Sequence, residues 1–469
     1  MTDNWATIGI DLHLDLAGRK IRAGLETALR DAVRTGRLGP GTRLPSSRAL
    51  AADLGVARNT VAEAYSQLVA EGWLTAERGS STRVASRSAT VPAEPPAAAG
   101  PRRAFRYDLR PGAPDVSAFP RSAWLAAARR ALLAAPAGAL SYGDPRGHPE
   151  LRQALTGYLA RARGVRASPG RIVVCSGFTQ GLALLSQVLR ARGGTTLAVE
   201  EYSLQSLRAT AGAAGLNLVP LPVDGRGAAV HEAGAVDAIL CTPAHQFPLG
   251  AALAPQRRAV AVDWARATGG LVVEDDYDGE FRYDRQPVGA MQALAPEHVV
   301  YGGSASKSLA PAFRLGWLVL PAHLVDDVAA ARELADGPGS RLDQLTLAEF
   351  IVSGGYDRHV RRARLAYRRR RDRLVAALRG AAPRVRVTGI AAGLHVLCEL
   401  PPGPDAAAAA EQDVVARAAA RGLAVAPLAP YRVTGQHVRP ALIVGYGTPP
   451  EHAFSGAVAR LCAVLREAA

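Results

Sequence analysis

At 469 residues the chain exceeds one ordinary domain, so two to three units are expected, and a 48% hydrophobic content supplies a substantial core. Cys175, Cys241, Cys398 and Cys462 lie far apart without metal-ligand spacing, so they read as buried apolar residues of a reducing compartment and no metal is expected. A net charge of +15 points to a polyanionic partner, and the lack of any signal peptide or membrane-length apolar run predicts a cytoplasmic protein.

The charge has a location. Residues 19–87 hold twelve Lys/Arg against six Asp/Glu, as suits a small phosphate-binding module. Apolar residues at Ile21, Leu25, Leu29, Ala32 and Val33 predict a helix over 19–35, stopped by Gly36. Ser46 is placed to cap a second helix over 47–54, Gly55 breaks it, and a third runs from about Arg58 to Ala70. Two short helices around a tight glycine turn follow the helix-turn-helix plan, in which the second helix enters the major groove. That helix opens on Arg58-Asn59-Thr60: arginine forks to guanine, asparagine pairs with adenine, and a threonine hydroxyl reaches phosphate. The stretch 73–84 predicts two strands around a basic tip, a wing.

Over residues 19–84 the segments Arg37 to Arg48, Leu54 to Val61, and Tyr65, Leu68, Glu71 and Gly72 resemble the GntR-type winged helix. The resemblance implies that Arg43, Ser46, Arg48, Arg58, Asn59, Thr60, Gly79 and Thr82 face double-stranded DNA. Ala57, where a serine is common, and Ser81, where the wing tip usually has glycine, depart from the pattern. Domain boundaries follow as a DNA-binding head at 1–85, a Pro/Ala-rich linker at 86–104 and a large domain at 105–469.

In the large domain, apolar β-rich runs at 171–175, 197–199, 238–241 and 271–273 alternate with helical stretches, which predicts an α/β fold with a mostly parallel sheet flanked by helices. Ligand groups should gather at its strand ends. Ser176-Gly177-Phe178-Thr179-Gln180 joins a strand to a helix expected near Gly181, so its amides and the Thr179 hydroxyl suit a phosphate. Arg314, Ser304 and Ser306 can bind the same dianion. Glu274-Asp275-Asp276-Tyr277 follows a strand, where a carboxylate can pair with a pyridinium and a tyrosine can donate to a phenolate. The chain has only two lysines, Lys20 and Lys307. Lys307 is the one amine able to form a Schiff base with an aldehyde in this part of the chain. Together these meet the requirements of pyridoxal 5′-phosphate (PLP). A second cluster, Arg358 to Arg373, reads as the solvated face of a helix.

Residues 105–469 resemble fold-type I aminotransferases through Tyr142 to Gly147, Thr242 to Gly250, Glu274 to Tyr283, the lysine stretch and Gly393-Leu394-His395. Behind a GntR-type head, the whole resembles the MocR group of regulators, nearest those that control vitamin B6 synthesis. The resemblance implies Lys307 as the aldimine lysine, Asp275 at the pyridinium, Tyr277 with His245 near the phenolate oxygen, and a head-to-tail homodimer with Tyr142 reaching the partner subunit's phosphate. Asp275 is preferred to Asp276 because it shares a strand face with Tyr277. A transaminase also needs a cation for the substrate carboxylate, commonly an arginine on a late strand. Ile443 stands near that place, with Arg439 and Arg432 nearby but outside the expected setting, and Leu204, Gln205 and Ser206 occupy another where amino-acid-binding members carry one. Three readings stand: a regulator of vitamin B6 or amino acid metabolism sensing PLP or its adduct with an amino compound, a working aminotransferase with a DNA-binding head, and a regulator whose cofactor site is vestigial.

Overall fold

The computed structural model describes residues 21–76, 81–86, 105–283, 288–402, 407–434 and 439–468. The chain divides into two compact units, Met1–Arg103 and Ala104–Ala469. The expected linker falls almost wholly, at residues 87–104, outside the described residues, as does Gly79 in the expected wing tip. Among the described residues no helix is long and apolar enough to cross a membrane.

In the first unit the helical spacing becomes three helices, Ile21–Arg34, Ser47–Leu54 and Arg58–Ala70, whose apolar stripes meet in one core. Leu25, Leu29, Leu50, Val61, Tyr65 and Leu68 are buried there. Ser46 Oγ accepts from the Ala49 amide at 3.1 Å, satisfying one of the orphan donors of the second helix. Gly55 closes that helix in the left-handed region at φ 65°, a conformation that costs other residues a Cβ clash. Strands Leu74–Thr75 and Arg83–Val84 pair antiparallel and place Leu74 and Val84 against the same core.

The second unit is built on a seven-stranded sheet. Its order is Ile172–Cys175, Gly316–Val319, Val299–Ser304, Leu271–Asp275, Ala238–Cys241, Thr196–Glu200 and Asn217–Leu221. Gly316–Val319 runs antiparallel to both its neighbours, and the other pairings are parallel. Near-continuous apolar strands are needed because both faces are covered. Alternate residues of each strand enter different cores: Leu271 and Val273 pack toward helix Phe178–Ala191, and Val272 packs toward helix Pro255–Thr268. A smaller four-stranded antiparallel sheet, in the order Arg386–Thr388, His395–Glu399, Ala441–Gly445 and Ala426–Pro427, carries a third core with the long helix Gly355–Ala381.

Two sequence expectations are corrected. The helix expected near Gly181 begins at Phe178, because the Gln180 side chain folds back to accept the Ser176 amide at 2.6 Å and caps the turn early. The arginine-rich stretch 358–373 does lie on a helix, but Arg370 is not solvated. Its guanidinium is buried and bonds Asp115 and Glu451, each at 2.8 Å, which ties the helix to two distant segments.

Candidate functional site

The C-terminal ends of the central strands open on a cavity of about 300 Å³. At one end, helix Phe178–Ala191 directs its first-turn amides into the cavity from Gly177, which holds φ 88°. These amides have no partner within the helix. Gly316 permits this approach, since a Cβ there would stand 2.8 Å from Gly177 Cα. Arg314 is the one non-glycine residue with positive φ (51°) among the described residues, and its guanidinium lies beside Gly177. Holding an arginine in the left-handed region costs about 1–3 kcal/mol, a strain typical of ligand-gripping positions. Ser304 and Ser306 line the same end, joined hydroxyl to hydroxyl at 2.8 Å. The result is an anion cradle of backbone amides, hydroxyls and one guanidinium, suited to a phosphate. Of the loop residues expected there, Gly177, Phe178 and Thr179 line the cavity, while the Ser176 amide is taken by Gln180 and the Phe178 ring packs into the core.

Deeper in, strand alternation separates three acids. Glu274 turns to the opposite face and accepts the Met291 and Gln292 amides at 2.9 and 3.0 Å. Asp276 is locked to Arg163 at 2.6 Å and to the Tyr301 hydroxyl at 2.7 Å. Asp275 faces the cavity, and its Oδ1 is buried with no hydrogen-bond partner. Burial pushes the Asp275 carboxyl well above the usual carboxylate range, reinforced by Asp276 and opposed by Lys307. Such a group is completed by a cationic or donating ring nitrogen. Lys307 reaches the same space with Nζ 2.6 Å from the Gly112 carbonyl. Burial lowers its pKa, and Asp275 and Asp278 hold it back. The residues present therefore fit PLP at each of its functional groups.

Tyr277 lines the cavity with its hydroxyl 3.0 Å from His245 Nδ1. His245 itself stands behind that tyrosine, 2.8 Å from Asp278, and does not line the cavity, so its expected place beside the phenolate becomes an indirect one. His395, which sequence reasoning noted only within a motif, does line the cavity. Burial pushes its pKa down to about 3, and Nε2 meets the Pro248 carbonyl at 3.1 Å, so it is a neutral donor. Glu200 also lines the cavity, and because Glu201 follows it directly, the sequence does not distinguish which of the two acids points inward. Tyr142 is 99% exposed and outside the cavity of its own chain. Ile443 is buried among Leu397, Ala426 and Leu428, so the late strand offers no cation.

In the first unit, Arg43, Ser46, Arg48, Arg58 and Asn59 are exposed, and Thr60 and Thr82 are half-buried. Arg58, Asn59 and Thr60 occupy the first turn of the third helix, the part that meets base edges in this plan. The Thr82 carbonyl accepts from the Leu44 amide at 2.8 Å, so that carbonyl is engaged within the head. Arg83, bridged to Arg43 and bonded to the Gly41 carbonyl at 3.1 Å, is a further exposed cation beside them.

A helix-turn-helix head joined to an aminotransferase fold defines a class of DNA-binding regulators. Comparison with known proteins agrees. Residues 22–84 match the model for bacterial regulatory proteins of the gntR family, and residues 111–441 match that for aminotransferase class I and II. The pyridoxine biosynthesis transcriptional regulator PdxR of Corynebacterium glutamicum is 32% identical over 93% of this chain and 94% of its own. The probable rhizopine catabolism regulatory protein MocR of Rhizobium meliloti is 34% identical over 75% of this chain and 76% of its own. A kynurenine aminotransferase structure from Pyrococcus horikoshii, 24% identical, matches in fold with a TM-score of 0.68 over 77% of this chain and 90% of that one. The chain belongs to the MocR-type transcriptional regulators, DNA-binding proteins with an aminotransferase-like domain of a family that binds PLP.

Proposed function

We propose that the large unit binds PLP covalently through Lys307 and that this binding is the signal the regulator reads, with vitamin B6 synthesis as the controlled process. One juxtaposition carries the reading: Lys307 Nζ and the unpartnered Asp275 Oδ1 share a cavity whose other end is the Gly177–Arg314 anion cradle. Similarity to a regulator named for pyridoxine biosynthesis supports the choice of process. The apolar setting of Ile443 speaks against a working aminotransferase.

PLP would supply an electrophilic carbon and an electron-withdrawing ring. The chain's own residues do the rest. The first-turn amides, Thr179, Ser304, Ser306 and Arg314 bind the phosphate, and Asp275 holds a proton on the ring nitrogen. Tyr277, oriented by His245 and Asp278, donates from its hydroxyl. Burial favours the neutral, nucleophilic form of Lys307. To regulate, the ligand must bind two arrangements of the protein unequally, because equal affinity shifts nothing.

The chain is proposed to act in the cytoplasm, with the head at 1–85, a linker at 86–104 and the effector domain at 105–469. Two copies would pair head to tail, so that Tyr142 of the partner subunit reaches the phosphate. The full exposure of Tyr142, with Leu125 at 69% and Leu133 at 75% on helix Arg121–Ala134, supports such a covered face. The direct test measures DNA affinity at fixed salt with and without PLP, alongside the absorbance of the linked cofactor. Lys307→Ala should fold, lose that absorbance and lose the PLP dependence of DNA binding. An unchanged PLP response in the variant would refute the scheme.

A further inference from the structure

We infer that the cavity admits, beside the cofactor, an amine with an apolar, uncharged tail and rejects amines that carry a carboxylate. The inference rests on the PLP reading, because that reading assigns the polar end. With phosphate on Arg314, Ser304 and Ser306, and the ring nitrogen on Asp275, the rest of the lining remains for a second ligand. The apolar part of that wall is Val199, Leu204, Leu207, Leu240 and Phe247. Among the described residues, Arg314 is the only arginine lining the cavity.

Two nearby arginines bond elsewhere, although one buried nitrogen of the Arg432 guanidinium, Nη1, has no hydrogen-bond partner. Arg208 donates to the carbonyls of Ser203 and Tyr431, and Arg432 bonds Glu201 at 2.8 Å. Neither lines the cavity. Besides His395 and Tyr431, which pack against Phe247, the lining holds an acid outside the cofactor contacts. Glu200 is 4% exposed, and its Oε2 accepts from Thr242 Oγ1 at 2.6 Å and from Gln246 Nε2 at 3.2 Å. Its charge acts on both Asp275 and Tyr277, which puts it within electrostatic reach of the cofactor end. Burial raises its pKa to about 7, so above that pH it is an anion in a low-dielectric wall. Such a group attracts an ammonium and repels a carboxylate.

The test is a calorimetric titration of the PLP-loaded full chain at about pH 8, above the raised Glu200 pKa. It uses isopentylamine and leucine, which share a tail and differ by the carboxylate. Isopentylamine should bind at least about tenfold more tightly, since like charges brought together in a site cost several kcal/mol. Glu200→Gln should narrow that ratio, and Leu204→Arg, which gives the exposed rim of the wall a cation, should reverse it. Equal or tighter binding of leucine to the unaltered chain overturns the inference, as does an unchanged ratio in both variants. The cofactor absorbance separates the two readings. Its absence defeats the PLP reading and this inference with it, whereas a normal absorbance with leucine preferred defeats this inference alone.

Discussion

Asp275 is a buried acid with one oxygen, Oδ1, left without a hydrogen-bond partner, and the physics of that position is one-sided. Desolvation penalises its charge, so a cationic ring nitrogen relieves a cost the free protein carries. Asp275→Asn should therefore leave the fold intact while weakening PLP binding by about tenfold or more, consistent with loss of a buried charged hydrogen bond. Fluorescence titration with PLP checks it, and unaltered affinity would reassign the acid. Which of Asp275 and Asp276 faces the cavity was legible in the sequence, because period-two alternation separates neighbours on a strand. The place of His245 was not. A motif carries which residue is present, but whether it touches a ligand or orients the residue that does depends on the distances to Tyr277 and Asp278.

At the scale of elements, the strand ends concentrate buried acids that fold at a cost. Glu274, Glu200 and Glu280 have pKa values raised by burial to about 7. A carboxyl raised above its unfolded value stabilises the fold fully only below the unfolded value, near 4.5, and that contribution is lost as pH rises through about 7. Glu274→Gln should flatten the pH dependence of stability across this window by roughly 3 kcal/mol, the equivalent of about two and a half pKa units. Denaturant midpoints at the two ends of the window read it, and an undiminished slope would place the titration elsewhere. The second helix of the head keeps the bounds its sequence predicts, since Ser46 caps its start and Gly55 closes its end. The start of helix Phe178–Ala191 escaped because its N-cap is Gly177, which offers no capping side chain, and the local bond comes from Gln180 inside the helix to the Ser176 amide.

Across the whole molecule, the head is the unit expected to set DNA affinity. Arg58→Ala should weaken binding by about 1–3 kcal/mol and relax specificity at one base pair if its guanidinium forks to guanine. Competition with duplexes altered at single positions checks it, and equal affinity for the intact site would remove Arg58 from base recognition. The arginine-rich helix Gly355–Ala381 shows why charge alone did not locate function: composition counted Arg370 as surface, whereas its partners Asp115 and Glu451 come from segments remote in sequence. The opposed faces of strand Leu271–Asp275 have one more consequence, for evolution. The fold is anchored through Asp276, Arg163 and Tyr301 on one side, while the candidate chemistry hangs from Asp275 on the other. A lineage could therefore discard or retune its dependence on a cofactor through a single codon, keeping an intact scaffold and a working DNA-binding head throughout.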